Sequence, residues 1–249
     1  MERSARESMI LGRLAREGSL SVSGLSREFG VSEVTVRSDL RTLEERGLLT
    51  RTHGGAQPAG HHNVFGRQVQ QRVEKARIAA AAAELVHDDD LIMIEAGTTC
   101  AEIVAQLGAR RGVRILTNST LVLRHARQHP SLTVVLTGGT FHHGSESMVG
   151  PVALRAIEEF NVRLAFFGTD GFSADRGLTT AFAEGAEVIR AMSARAEQSW
   201  LVADSSKYGR AGFVSVLPIT ALTGVITDSG LPAESHEDLL SSGVRARLV

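Results

Sequence analysis

The sequence predicts an α/β fold in two parts: a small helical unit at the N-terminus, then a larger unit built on a mostly parallel sheet. Three observations predict it. In the first fifty positions apolar residues recur at helical spacing in short segments. Near residue 55 the chain turns glycine-rich and polar, with a proline at 58. Beyond that point six apolar runs of strand length are separated, for the most part, by helical patterns.

Composition is compatible with this. The chain has 249 residues, 43% hydrophobic and 22% charged, enough for a small and a medium domain. No apolar run approaches the roughly 18 residues of a membrane helix. The start, Met1-Glu2-Arg3-Ser4, lacks the apolar stretch of a signal peptide, so a cytoplasmic protein is expected. Cys100 is the only cysteine, which excludes an internal disulfide and fits a reducing compartment. The net charge of −1 gives no support to nucleic-acid binding, and within residues 1–62 nine arginines face eight acids. Any such reading must rest on pattern. Only two of the 27 basic residues are lysines, Lys75 and Lys207. Against a background of arginine these two stand out, because a compact ammonium and a planar guanidinium suit different sites.

The elements follow in order. Met9, Ile10 and Leu14 space the apolar face of a first helix. Val22, Leu25 and Phe29 space a second, ended by Gly30. Ser32 is placed to cap a third, in which Val36, Leu40 and Leu43 fall at i, i+4 and i+7. Gly47 ends that helix, a short strand Leu48–Thr50 follows, and the chain turns back at Gly54-Gly55. Three helices and a small hairpin make a winged helix-turn-helix over residues 1–56. Residues 57–66 are expected as a linker, and 67–249 as a Rossmann-like parallel-sheet effector domain. That domain opens on a long helix, Arg67 to Val86. Its expected strands are Leu91–Glu95, Val113–Thr117, Leu132–Leu136, Leu164–Gly168, Trp200–Ala203 and Gly224–Thr227. No internal repeat or low-complexity tract is present.

With Val36, Leu40 and Leu43 inside, Val34, Arg37, Ser38, Arg41 and Thr42 lie on or near the outer side of the third helix, and Thr35 on its flank. Hydroxyls and arginines beside an exposed valine suit base edges, a thymine methyl and phosphates in double-stranded operator DNA. Ser32 joins them at the helix start, and Arg51 and His53 in the wing. A plainer reading stands beside this one: Val34 as a scattered surface valine, and the arginines as a solvated face in which Arg41 and Glu45 pair.

In the second unit, each strand is followed by small polar residues: Gly97-Thr98-Thr99, Asn118-Ser119-Thr120, Gly138-Gly139-Thr140, Thr169-Asp170-Gly171 and Asp204-Ser205-Ser206-Lys207. In a parallel sheet all of these lie at the carboxyl edge, where ligands bind. Helix starts there offer free N–H groups to an anion. A phosphorylated sugar fits, with phosphate on Gly97–Thr99 and Lys207 and hydroxyls on Asn118, Asp170 and Asp204. The same residue types also serve as ordinary turn and cap residues. Cys100 shares a stripe with Ile103, Val104 and Leu107 and reads as core. The pairs His61-His62 and His142-His143 lack metal-ligand spacing. No metal or cofactor is expected.

The segment "VSEVTVRSDLRTLEERGLLTRTHGGA" resembles the DNA-binding signature of DeoR-type bacterial repressors. Thr35, Val36, Arg37, Asp39, Leu40, Leu43, Gly47, Arg51, His53, Gly54, Gly55 and Ala56 match in order. Ser38 departs from it, standing where the family usually has a second arginine; it keeps a hydrogen-bond donor and drops a charge. The fragments "EKARIAAAAAELVHDDDLIMIEAGTT", "ILTNS", "VVLTGG", "VGPVA", "AFFGTDGF", "GLTT", "ADSSKYG" and "VITD" are similar to the effector domain of the same family. The resemblance implies a fold like that of ribose-5-phosphate isomerase, a repressor of carbohydrate-metabolism genes, a sugar-phosphate effector, a homo-oligomer, and a place for Lys75 in the effector pocket. Lys75 read from the helix alone is a surface lysine.

An enzyme reading must be weighed against this. A sugar-phosphate isomerase needs a carboxylate base, for which Asp170 is the candidate. The ribose isomerases carry a Gly-Ala-Asp-Glu run. Here Gly168-Thr169-Asp170-Gly171 lacks the glutamate. A CoA-transferase route needs a nucleophilic glutamate, and Glu95 and Glu184 remain open. With binding groups retained and catalytic groups incomplete, the expectation is a sensor, not an enzyme. An isomerase or deaminase with a helical appendage is the alternative.

Overall fold

The computed structural model describes residues 2–46, 48–58 and 64–249. The chain divides into two compact units, Met1–Gln70 and Gln71–Val249. Gly47, expected to end the third helix, and residues 59–63, including His61-His62, lie outside the described residues.

The first unit runs α1 (Arg3–Glu17), β1 (Leu20–Ser21), α2 (Val22–Phe29), α3 (Glu33–Glu45), β2 (Leu49–Thr52), β3 (Gly55–Pro58) and α4 (Val64–Val69). Ser21 and Ser32 cap α2 and α3 by accepting from Gly24 N and Thr35 N at 3.0 and 3.2 Å. Gly30 ends α2 in the left-handed region, φ 64°. Ile10, Leu14, Leu25, Val36, Leu40, Leu43 and Leu49 form one buried cluster. Met9 does not join it; it is exposed, because one residue from Ile10 is about 100° around the helix. The buried place one turn before Ile10 goes instead to Arg6.

The wing is a three-stranded antiparallel sheet, order β1-β3-β2, whose two-residue β1 was not predicted. A Cβ on Gly55 would stand 1.9 Å from Leu20 O, so β1 and β3 meet only because residue 55 is glycine. The wing strand begins at Leu49 rather than Leu48 and runs on to Thr52. A linker over 57–66 does not survive intact: Gln57 and Pro58 belong to β3, and Val64–Val69 is helical.

The second unit runs α5 (Arg72–Ala83), β4 (Leu91–Ile94), α6 (Thr98–Gln106), β5 (Arg114–Thr117), α7 (Thr120–Ala126), β6 (Thr133–Leu136), β7 (Thr140–His142), β8 (Ser147–Val149), α8 (Pro151–Glu158), β9 (Val162–Phe167), β10 (Gly171–Ser173), β11 (Gly177–Thr180), α9 (Ala183–Ala194), β12 (Ala196–Val202), β13 (Val214–Leu217), β14 (Gly224–Thr227), α10 (Ala233–Ser241) and β15 (Arg245–Leu248). Seven strands form one sheet, order β15-β14-β12-β9-β4-β5-β6, with every pairing parallel. The inner strands β4, β5 and β14 are mostly apolar because both of their faces are covered. The one long helix expected from Arg67 is two: Gln71, at φ 49°, breaks it. Six strands of the sheet were expected; β15 is a seventh, disguised by the arginines that alternate along it at the sheet edge. The hairpin β7–β8 and the antiparallel trio β10-β11-β13 were not expected either.

The order of the sheet places the site. β5 and β6 add to one side of β4; β9, β12, β14 and β15 add to the other. The direction of winding reverses between β4 and β9, and a crevice opens at the carboxyl ends of strands at such a point. Among the described residues no helix is long and apolar enough to cross a membrane.

Candidate functional site

On α3 the buried stripe turns Ser32, Val34, Arg37, Ser38 and Arg41 to solvent, with Val34 76% exposed. Thr35 is half-buried and shares a hydrogen bond with Ser32 Oγ at 2.9 Å. Arg37 pairs with Glu33 one turn earlier at 3.2 Å. Such an exposed pair contributes at most about 1 kcal/mol, so a phosphate can take the guanidinium from it. Arg41 makes no ion pair among the described residues; the Arg41–Glu45 pairing weighed above is not formed. In the wing His53 is exposed. Arg51 is tied to Glu44, donating from its backbone N at 2.9 Å and from Nε at 2.6 Å. Those two bonds, the backbone one first, hold the Glu44 carboxyl below its usual range.

Thr42 sits at the margin of that outer face. It is half-buried, donates to Ser38 O at 3.2 Å and accepts from Arg3 of α1. It faces α1 because Arg3 supplies a polar partner there. Beneath it lies a group the periodicity argument passed over. Asp39, 2% exposed, receives a two-pronged bond from buried Arg6, Nε to Oδ2 at 2.5 Å and Nη2 to Oδ1 at 3.1 Å. Glu7 bridges Arg3 and Arg46 at 2.9 and 2.8 Å. The Arg6–Asp39 and Glu7–Arg46 contacts fasten α3 to α1. The signal was readable: Asp39 falls on the buried side of α3, three residues from Val36 and four from Leu43.

In the second unit the loops after β4 and β9 touch. Gly168 N donates to the buried Glu95 carboxylate at 3.2 Å. A Cβ on Gly97 would stand 3.6 Å from Gly168 Cα and 3.3 Å from Cys100 Sγ. Gly97 is the N-cap of α6, Thr98 is half-buried at its first turn, and Thr99 is buried. Burial, aided by the charge of Glu95, pushes the Cys100 thiol well up, as befits a core residue. Lys75 is 5% exposed, on the face of α5 that also buries Ile78, Ala79 and Ala82. It is not a surface lysine.

Lys207 closes a single 3-10 turn, Ser205–Lys207, capped by buried Asp204, which accepts from Ser206 Oγ. Asp228 builds this turn by accepting from Ser205 N at 2.6 Å, Ser205 Oγ at 2.8 Å and Gly230 N at 3.0 Å. Burial alone pushes Asp228 up; the bonds from Ser205 and Gly230 outweigh it and hold the carboxyl below the ordinary range.

Several of the residues expected to touch an effector also hold the local structure together. Asn118 is buried, accepts from Ala96 N at 3.0 Å and donates to Met148 O at 3.1 Å, so it clamps the ends of β4 and β8. Ser119 is buried and caps α7 at Val122 N, 3.3 Å. Gly138 and Gly139 make the left-handed turn out of β6, φ 67° and 118°. Gly171 lies in β10, where a Cβ would stand 2.2 Å from Arg210 O. Asp170 is half-buried and accepts from Ala181 N at 2.8 Å and Thr180 Oγ1 at 3.1 Å. The loops after β4 (Gly97, Thr98), β9 (Thr169, Asp170) and β12 (Lys207) all lie at the carboxyl edge of the sheet, as do those that carry Asn118, Ser119, Gly138 and Gly139 after β5 and β6. A depression of about 490 Å³ lies at the opposite, amino edge of the sheet. Its walls include Arg163 and Asp90, already bonded to each other, Nε to Oδ1 at 2.7 Å. No group of three or more metal-binding side chains occurs among the described residues.

Residues 6–59 match the DeoR-like helix-turn-helix domain, and residues 70–229 the DeoR C-terminal sensor domain. The HTH-type transcriptional regulator GlpR of Haloferax volcanii is 35% identical over 96% of this chain and 95% of its own. The transcriptional repressor AccR of Agrobacterium fabrum is 32% identical over 90% and 89%. The HTH-type transcriptional repressor CsqR of Escherichia coli is 31% identical over 96% and 93%. A looser likeness, with a TM-score of 0.40 and 21% identity over 54% of this chain and 53% of the other, is to ribose 5-phosphate isomerase A of Methanocaldococcus jannaschii.

Proposed function

The chain belongs to the DeoR family of transcriptional regulators, and from that premise we propose that it represses a carbohydrate-metabolism operon under control of a phosphorylated sugar. The observation that carries the effector half is the meeting of the β4 and β9 loops at the point where the winding reverses. Gly97 and Thr98 offer a helix start there, and Lys207 is presented on its own turn after β12. Phosphate on α6 and Lys207 uses backbone N–H groups and one point charge. The sugar then extends toward Asp170 and the hairpin β7–β8.

The protein senses this ligand without converting it. Asp170, the only carboxylate proposed as a base, already accepts two hydrogen bonds on Oδ2, from Ala181 N and Thr180 Oγ1, which tie it to its own neighbouring loop. The residue after it is the buried Gly171, where an isomerase-like glutamate would collide with Arg210 O. Ligand must favour one arrangement of the DNA-reading unit to act as a signal. A homo-oligomer in the cytoplasm, reading paired half-sites, completes the proposal.

The test is a melting screen of the full chain against pentose, hexose and amino-sugar phosphates, followed by a gel shift on duplex from its own promoter region. An ester that stabilises the wild type should release the duplex. Lys207→Ala should remove that stabilisation. Catalytic turnover of any ester, lost in Asp170→Asn, would overturn the sensor reading.

A further inference from the structure

The hairpin β7–β8 is anchored at both its tip and its returning strand. Met148 N donates to Asn118 O at 2.7 Å, and Ser147 bridges Ser119 after β5. At the tip, Thr120 N and Oγ1 both donate to Glu146 O at 3.0 Å, and Glu146 adopts a left-handed φ of 53° to meet them. From this fixed base His142 reaches across to the other side of the crevice. Its ring stacks on Phe182, 4.3 Å between centroids and 12° from parallel. Phe182 follows Ala181, whose N–H holds Asp170 beyond β9. The hairpin thus joins the loop after β5 to the loops after β9, and β4, whose end carries Gly97 and Thr98, lies between those strands.

His142 is held from several sides. Its Nδ1 bonds Ser145 Oγ at 2.7 Å, and that oxygen bonds the buried Ser147 Oγ at 2.7 Å. Phe182 is fixed from below, since its ring fills the space where a Cβ on Gly185 would fall 2.7 Å away. The other ring nitrogen, Nε2, has no hydrogen-bond partner among the described residues. A half-buried imidazole, locked in rotamer with one polar edge unused, is preorganised for a contact from outside the chain.

We infer that His142 recognises the carbohydrate of the effector, with Phe182 as the flat wall that orients its ring; this rests on the effector reading above. The direction of approach assigns it to the sugar end. Lys207 comes from the β12 side of the switch point, whereas the hairpin comes from the β6 side. An imidazole nitrogen donates or accepts according to tautomer, which suits a hydroxyl. Together His142 and Phe182 set which sugar is accepted, while Gly97–Thr98 and Lys207 hold the phosphate common to all.

Isothermal titration of the full chain with ribose 5-phosphate, fructose 6-phosphate, glucosamine 6-phosphate and inorganic phosphate tests this. His142→Ala should weaken the best-bound ester about tenfold, the worth of one hydrogen bond. Inorganic phosphate should bind as in the wild type, and His142→Gln should recover part of the loss. Equal ester affinity in His142→Ala and wild type overturns the inference and leaves the effector reading standing. Equal losses for ester and inorganic phosphate also overturn it, because they put His142 in the anion site. A wild type indifferent to all three esters removes both readings. If His142→Ala melts well below wild type without ligand, Phe182→Leu takes its place, keeping apolar bulk and removing the flat ring; an unchanged ester-to-phosphate ratio there is the overturning result.

Discussion

The two units solve the same problem, holding polar groups ready for a ligand, in opposite ways. On α3 the groups proposed to read DNA stand on the outside of a regular helix, and the polar residue buried behind them, Asp39, does the positioning. At the sheet edge Asn118, Ser119 and Asp204 are themselves buried, and Asn118 and Ser119 spend their polar atoms on neighbouring backbone. A helix satisfies its own main chain, so its outer side chains are free to read something else. Loops at a strand end leave main-chain groups unpaired, and side chains are drawn in to satisfy them. The lesson is that a polar residue at a loop is as much a part of the frame as of the site.

The largest effect expected from this comparison is at Asp39. Asp39→Ala takes the two-pronged carboxylate partner from buried Arg6 and should cost about 3 kcal/mol in denaturant unfolding of the first unit. Replacing both partners, Arg6→Met with Asp39→Leu, should restore most of it. An unaltered unfolding midpoint in the single variant would show that the pair positions nothing.

Asn118→Ala comes next. It strands Ala96 N and Met148 O, and unliganded stability should fall by about 1–3 kcal/mol. Were Asn118 a ligand contact alone, the unliganded chain would melt as before and only effector affinity would drop. Arg37→Ala should do the reverse: melting unchanged, duplex affinity reduced by about 1–3 kcal/mol, and the salt dependence of binding shallower by about one unit. Ser38→Arg sharpens the same point, since an added charge on that face should steepen the salt dependence by a similar amount. Gel shifts across a salt series decide both.

The smallest effect is in acid. The Asp90 carboxyl is pushed up by burial and pulled further down by the Arg163 fork and His87 N–H; with Asp228 it ends below the ordinary range. A depressed carboxyl contributes stability that is fully present above its unfolded value, about 3.9. That stability is lost as pH falls through the lower folded value. Unfolding free energy of the second unit should therefore decline only below about pH 4, and Asp228→Asn should flatten part of that decline. A decline centred near neutrality would contradict it.

Much of this was legible in the sequence, for reasons that can be named. Val36, Leu40 and Leu43 recur with the period of a helix, so the face of α3 and its exposed Val34, Arg37, Ser38 and Arg41 followed at once. Ser32 before that pattern was a cap by chemistry alone. The strands β4, β5, β6, β9, β12 and β14 were apolar runs, but β15 was missed because arginines alternate along an edge. The tie from Thr42 to α1 was not foreseen because its partner, Arg3, is 39 residues away. His142 was noticed only as half of a histidine pair, since nothing local announces Phe182, Ser145 and Ser147 as its surroundings.

Periodicity and residue chemistry alone determined the two-part architecture, the exposed polar face of α3 and the edge of the sheet at which polar loops gather. They suffice there because each follows from neighbours a few positions apart. Tertiary structure alone decided which loop residues are frame and which are open, the burial of Lys75 and Asp39, and the meeting of His142 with Phe182. Those depend on contacts between segments distant in the chain, where burial and hydrogen-bond satisfaction are settled by what arrives from elsewhere.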